Sequence, residues 1–259
     1  MWVWTLSGTM TQKILPKISC DQVIPDAVKR FYPQQTLKGA DTPGLEVKGW
    51  TLGPDNKVLI VEDETPLPMP EKTKFVQQFT GTLSHAARIV RHDLLPAVNE
   101  IASTQSAPTS KTMQQVDRLS NYIARFPKGS VIYKATEMIL TAMYDSALRP
   151  HGKHKIGSFI YHTNKGDPPE KIGNIIEVLC KLPPDVVASI AEGEYCFQFI
   201  TGQTAYWHRV INERMGYPQP PTVLYGDNTT ALVLQQIQLK QNVQKLWILD
   251  SVGYEIAPD

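Results

Sequence analysis

The run from Val187 to Leu232 constrains this chain more than any other. It opens on an acidic helix start, Ala191-Glu192-Gly193-Glu194-Tyr195, keeps helical periodicity to Met215, and stops at Gly216 and Pro218. Glycine just past the last turn and proline beyond it are the usual way a helix ends. A short apolar run, Thr222-Val223-Leu224-Tyr225, follows and leads through Gly226 into Asp227 and Asn228. A strand and a helix packed side by side bring carboxylates at their ends together, and hard divalent cations need such clustered oxygen donors. A third acid upstream suits the same arrangement: Asp145 closes the strand pattern Met138 to Tyr144.

The chain has 259 residues, enough for one large domain or two modest ones, with a formal net charge of +1. That balance gives no global field to attract nucleic acid, so any such binding must come from local patches. Three cysteines, Cys20, Cys180 and Cys196, have neither disulfide-framework nor zinc-site spacing, which suits a reducing compartment. No apolar run is long enough to span a bilayer, and the apolar start Met1–Leu6 lacks the basic leader and long core of a signal peptide. The expectation is an intracellular, cytoplasmic protein without a membrane partner.

Three pieces follow along the chain. Residues 1–70 are loop-rich, with one amphipathic helix from Asp21 to Phe31 that sets Val23, Ile24, Ala27, Val28 and Phe31 on one face, a short apolar run Val58–Val61, and an extended Pro-rich passage Thr65–Pro70. Residues 71–129 read as helices: Phe75, Phe79, Leu83, Ala86 and Val90 make a core-facing stripe. A second helix spans Asp93–Thr104 with Pro96 near its start. A third begins at a Thr109 or Ser110 cap, with Met113, Val116, Leu119, Tyr122 and Ile123 on one face. Residues 130–259 alternate strands and helices, with strands at 130–134, 137–144, 156–162, 174–180 and 222–225, the long helix 192–215 and another at 229–239. Antiparallel strands first, then strand and helix in alternation, is an α/β (α+β) pattern.

At Tyr144-Asp145-Ser146, Ala191-Glu192-Gly193-Glu194-Tyr195 and Tyr225-Gly226-Asp227-Asn228-Thr229-Thr230-Ala231 the chain resembles the RNase H domain of copia-type LTR retrotransposon polyproteins. The helical piece resembles that family's region joining polymerase to RNase H, through Gly81-Thr82-Leu83, Val90-Arg91-His92-Asp93 and Asn121-Tyr122-Ile123. The resemblance implies an RNase H-like mixed sheet with flanking helices, preceded by a helical connection region and the end of a reverse transcriptase. It implies hydrolysis of the RNA strand of RNA–DNA hybrids, with Asp145 bridging two Mg2+ (or Mn2+) ions, Glu194 holding one and Asp227 the other. The hybrid and the rest of a retroelement polyprotein are the implied partners. The chain departs from the family in three respects. It has no Tyr-x-Asp-Asp polymerase motif, it lacks the Ala-Asp-x-x-Thr-Lys segment carrying a fourth acid, so that the domain looks truncated, and Gly193 stands where the family has alanine.

Plainer readings stand beside these. An aspartate after a strand is often a turn-former, Asp227-Asn228-Thr229 makes a good helix cap, and glutamates in a first helical turn complement the helix dipole. Arg149, Lys153 and Lys155, crowded after Asp145 with His151 and His154, suit phosphate contacts or a solvated hairpin tip. Asn228 joins that candidate set of nucleic-acid contacts. Tyr206 and Trp207 are expected in the core rather than as base-stacking platforms. A catalytically inactive remnant that at most binds nucleic acid is the alternative to an active nuclease.

Overall fold

The computed structural model describes residues 16–33, 37–45, 67–148, 154–168, 171–181, 190–226 and 254–255. The first expected helix forms as α1 (Val23–Phe31), buries Ile24 and Ala27, and leaves Val23 exposed. Helix α2 (Thr73–Ile89) buries Phe79, Leu83 and Ala86 as the stripe requires, with Val90 buried just past its end. Two turns later α3 (Leu95–Ser103) starts with proline in its first turn, where a missing N–H costs nothing. Helix α4 (Ser110–Arg125) is opened by a capping box: the Thr109 hydroxyl accepts from the Thr112 N–H, and the Thr112 hydroxyl accepts from the Thr109 N–H.

These four helices enclose one core. Ile24 and Ala27 of α1 meet Val76, Phe79 and Leu83 of α2, Val98 and Ile101 of α3, and Val116, Leu119 and Ile123 of α4. Residues from both sides of position 70 therefore share it. The entry to α1 is fixed by β1 (Lys17–Ser19), which pairs antiparallel with β2 (Ser130–Ile132) directly after the helical block.

The second layer is a mixed sheet. Its long strands are β3 (Ile139–Leu148), β4 (His154–Thr163) and β5 (Asn174–Lys181), followed by β6 (Thr222–Tyr225) and a two-residue edge strand β7 (Tyr254–Glu255). The order across the sheet is β5-β4-β3-β6-β7, antiparallel from β5 to β3 and parallel from β3 to β7. Helix α5 (Ile190–Arg214) crosses between β5 and β6 and covers one face, packing Phe197 and Ala205 on Leu140, Ala142, Tyr144, Ile160 and Leu224. It ends as expected at Gly216, whose φ of +89° permits a Schellman cap: Gly216 N–H donates to the Glu213 carbonyl and Tyr217 N–H to that of Asn212. The architecture is mixed α/β, as the alternation of elements requires. The opposite face, near β5, receives the helical layer: Val178 and Cys180 pack on its core, and Asn99 Nδ2 donates to the Cys180 carbonyl. Val58–Val61 and the expected helix 229–239 lie outside the described residues.

Candidate metal centre

Asp145 lies inside a strand rather than in a turn after one. β3 continues to Leu148, four residues beyond the expected end, because β4 pairs with it throughout: Asp145 is opposite Gly157 and Leu148 opposite His154. Aspartate is a poor strand residue, so its place here depends on cross-strand pairing. The side chain is exposed and has no hydrogen-bond or ion-pair partner among the described residues. A Cβ added at Gly157 would meet nothing within 4 Å, so the flank of Asp145 on that side is open. Side chains alternate along a strand: Leu140, Ala142 and Tyr144 face α5, so Asp145 belongs to the other face.

Three chain segments reach this end of the sheet. β5 terminates at Lys181, opposite Ile156, which is itself opposite Ser146, one residue past Asp145. From there the chain leads to α5, whose backbone carries Glu194 near its start; the side chains of 190–195 are outside the described part. β6 runs parallel beside β3 with Met143 paired to Tyr225, and the described residues stop at Gly226. Asp227 and Asn228 lie just outside them, as do Arg149 and Lys153. Among the described residues no group of three His, Cys, Asp or Glu side chains could hold a metal ion.

Gly226 has a packing reason. A Cβ at this position would overlap the buried ring of Tyr144. The glycine lets β6 leave the sheet alongside a large aromatic on β3. The pairing is invisible to a reader of either strand alone, because 82 residues separate the two positions (226 − 144).

Lys155 donates from Nζ to the Pro96 carbonyl at 2.9 Å, a solvent-exposed bond that ties β4 to the first turn of α3. One expectation is corrected by packing. Trp207 is not a core residue. α5 turns Phe197, Thr201, Ala205 and Asn212 to the sheet, so Trp207 falls on the outer side and is 66% exposed. Tyr206, its T-shaped neighbour at 5.4 Å, is half-buried.

Elsewhere the chemistry is structural. Arg91 is 4% exposed and forks onto Asp93, with Nε–Oδ1 3.0 Å and Nη2–Oδ2 2.8 Å, while its Nη1 donates to the Phe126 carbonyl at 2.6 Å. Tyr122 donates its hydroxyl to Asp93 Oδ2 and sets its ring under the guanidinium. Burial pushes the Asp93 carboxyl upward, but the hydrogen bonds and charge of Arg91 and the Tyr122 hydroxyl outweigh it and hold the group below the usual carboxylate range. A cleft of about 680 Å³ opens beside Phe31, Tyr32, Lys72, Phe75 and Asp117, on the helical side, and Asp145 does not line it. Burial, reinforced by the Asp117 carboxylate and opposed by Ser120, pushes the Tyr32 hydroxyl there up to about 12, so it stays a neutral donor. No protein-family model, curated protein or solved structure matches the chain. No helix of the described residues is long and apolar enough to cross a membrane.

Proposed function

We propose that the chain is the RNase H-like part of a copia-type retroelement polyprotein, a metal-dependent nuclease acting on the RNA strand of RNA–DNA hybrids. The observation that carries this reading is the shared direction of three strands: β3, β5 and the parallel β6 all run toward the same end of the sheet. The element order, antiparallel strands and then helix and strand, is the one an RNase H-like fold needs. An exposed Asp145 without a partner among the described residues, in a strand where aspartate is disfavoured, supports a role other than local structure. Asp145, Glu194 and Asp227 would supply an all-oxygen donor set, the kind Mg2+ or Mn2+ prefers. Such ions, when bound, neutralise charge on the attacking and leaving oxygens of the phosphodiester. Asp145 lies on the face away from α5, so Glu194 would join it around the end of the sheet rather than across the core.

The test is cleavage of a labelled RNA–DNA hybrid by the full chain in magnesium, with and without chelator. Asp145→Asn is expected to abolish cleavage while leaving the urea midpoint within experimental error. Equal cleavage by this variant would remove the assignment. The engagement of Lys155 with Pro96 and the formal charge of +1 favour the second reading, an inactive remnant with little affinity for nucleic acid. That reading expects no chelator-sensitive cleavage by the unaltered chain.

A further inference from the structure

The cleft beside Tyr32 is built from three elements of the helical layer. Met113, Asp117 and Asn121 are successive i, i+4 neighbours on α4 and make one wall. Phe31 and Tyr32 at the end of α1, with Phe75 of α2, make an aromatic wall. Phe75 meets Phe31 edge-on at 5.6 Å and Tyr32 at 6.3 Å, and stacks on Phe79 at 6.3 Å. Phe31, Tyr32 and Phe75 are all half-buried, which leaves ring surface for a ligand. The polar lining is held in place from below. Tyr32 donates its hydroxyl to Asp117 Oδ1 at 3.1 Å, the Lys38 N–H donates to Asn121 Oδ1 at 2.8 Å, and Asn121 Nδ2 donates to the Asp117 carbonyl at 2.8 Å. Lys38 and Lys72 complete the lining, and their ammonium groups have no hydrogen-bond or ion-pair partner among the described residues.

We propose that this cleft binds a guanine nucleoside monophosphate. Its volume of about 680 Å³ lies within the roughly 300–1,000 Å³ of small-molecule sites. Two ammonium groups against one carboxylate favour an anion, and lysines are common partners of a phosphate. A wall of aromatic rings favours a planar ring that stacks on it. The carboxylate of Asp117 sets the edge of that ring. Tyr32 takes one lone pair of Oδ1, and Oδ2 has no partner among the described residues. A carboxylate accepts and does not donate, so the edge that faces it must carry donors. Guanine alone among the common bases sets two donors side by side on its pairing edge, N1–H and the N2 amino group. Adenine and cytosine place an acceptor beside their amino group, and uracil flanks its one N–H with two carbonyls. The phosphate then falls to Lys38 and Lys72. The site shares no residue with the candidate metal centre and is independent of the nuclease reading.

Titration calorimetry on the full chain with GMP, guanosine and AMP tests it. The expected result is saturable binding of one GMP per chain, with guanosine and AMP each weaker by about tenfold or more. Lys72→Met should narrow the gap between GMP and guanosine, because it removes a phosphate contact and leaves the base contacts alone. Asp117→Asn should bring GMP down to the level of AMP. The urea midpoint of each variant is read alongside. If Asp117→Asn lowers it sharply, Lys72→Met and the GMP-to-AMP ratio of the unaltered chain decide. Competition by a short single strand that begins with 5′-phosphoguanosine separates a strand end from the free nucleotide as the source, and either source upholds the assignment. No saturable binding of GMP, equal affinity for GMP and AMP, or a gap to guanosine that Lys72→Met leaves unchanged would each overturn it.

Discussion

Removing Asp93 is expected to leave Arg91 as a buried cation with half of its partners gone. The guanidinium is 5% exposed at the side chain and loses both carboxylate hydrogen bonds, keeping the Phe126 carbonyl and the Tyr122 ring. Breaking a fully buried ion pair by deleting one member costs about 3–5 kcal/mol. The Asp93 side chain is 40% exposed, so solvent already screens part of the attraction and water can replace part of the carboxylate. Asp93→Ala should therefore cost roughly 2–3 kcal/mol, nearer the cost of losing charge-assisted hydrogen bonds. With a urea slope of about 2–3 kcal/mol per molar, the midpoint falls by roughly 1 M while the slope is unchanged. Arg91→Met in the Asp93→Ala background should recover part of the loss, because no charge is then left buried. The carboxyl titrates below its unfolded value in the folded chain, so its contribution is complete above about pH 4 and is lost as pH falls through the folded pKa. Asp93→Ala should lack that acid-side loss. A midpoint within about 0.2 M of the unaltered chain would refute the argument, because such a shift lies within the roughly ±0.5 kcal/mol typical of surface substitutions.

Three further outcomes are expected. Gly226→Ala should cost roughly 1–3 kcal/mol by overpacking against Tyr144, and Tyr144→Ala in the same chain should relieve the clash, measured as a coupling energy in a urea double-mutant cycle. Thr109→Ala removes the side-chain half of the α4 capping box and should cost about 1 kcal/mol, whereas Thr109→Ser should cost less, both read from denaturation midpoints. His162 is buried on β4 and accepts from Asn212 Nδ2 at 2.8 Å. Burial lowers its pKa, and the nearby His208 adds to the effect. The unfolded chain then takes up this proton first, so stability should be complete above about pH 6.5 and decline as pH falls toward the lower folded value. His162→Gln should flatten that decline in a midpoint-against-pH series.

The helical layer was the easier half to read. In α2 and α4 the apolar residues recur every three or four positions, and the burial of Phe79, Leu83, Val116, Leu119 and Ile123 follows that local period. The Gly216 stop and the Thr109 cap are also local, since each depends on bonds within a few residues of itself. The candidate centre was legible only as three acids near element ends. Which strand stands beside which is a matter of long-range pairing, so the parallel neighbours β3 and β6 and the register of Met143 with Tyr225 could not be read from spacing. Trp207 was misplaced for a related reason: α5 is apolar on both sides, and periodicity alone cannot say which side meets the sheet.

From residue order alone came the helices, their ends, the alternation of elements after residue 130 and the three acids. All of these are properties of short stretches, set by side-chain period and backbone preference. Tertiary structure alone decided that β1 closes against β2 across more than a hundred residues, and that Arg91 is locked between Asp93 and Phe126. It also decided that Lys155 meets the Pro96 carbonyl and that Gly226 makes room for Tyr144. Each of these depends on two surfaces meeting in space, and a one-dimensional pattern carries no information about which surfaces those are.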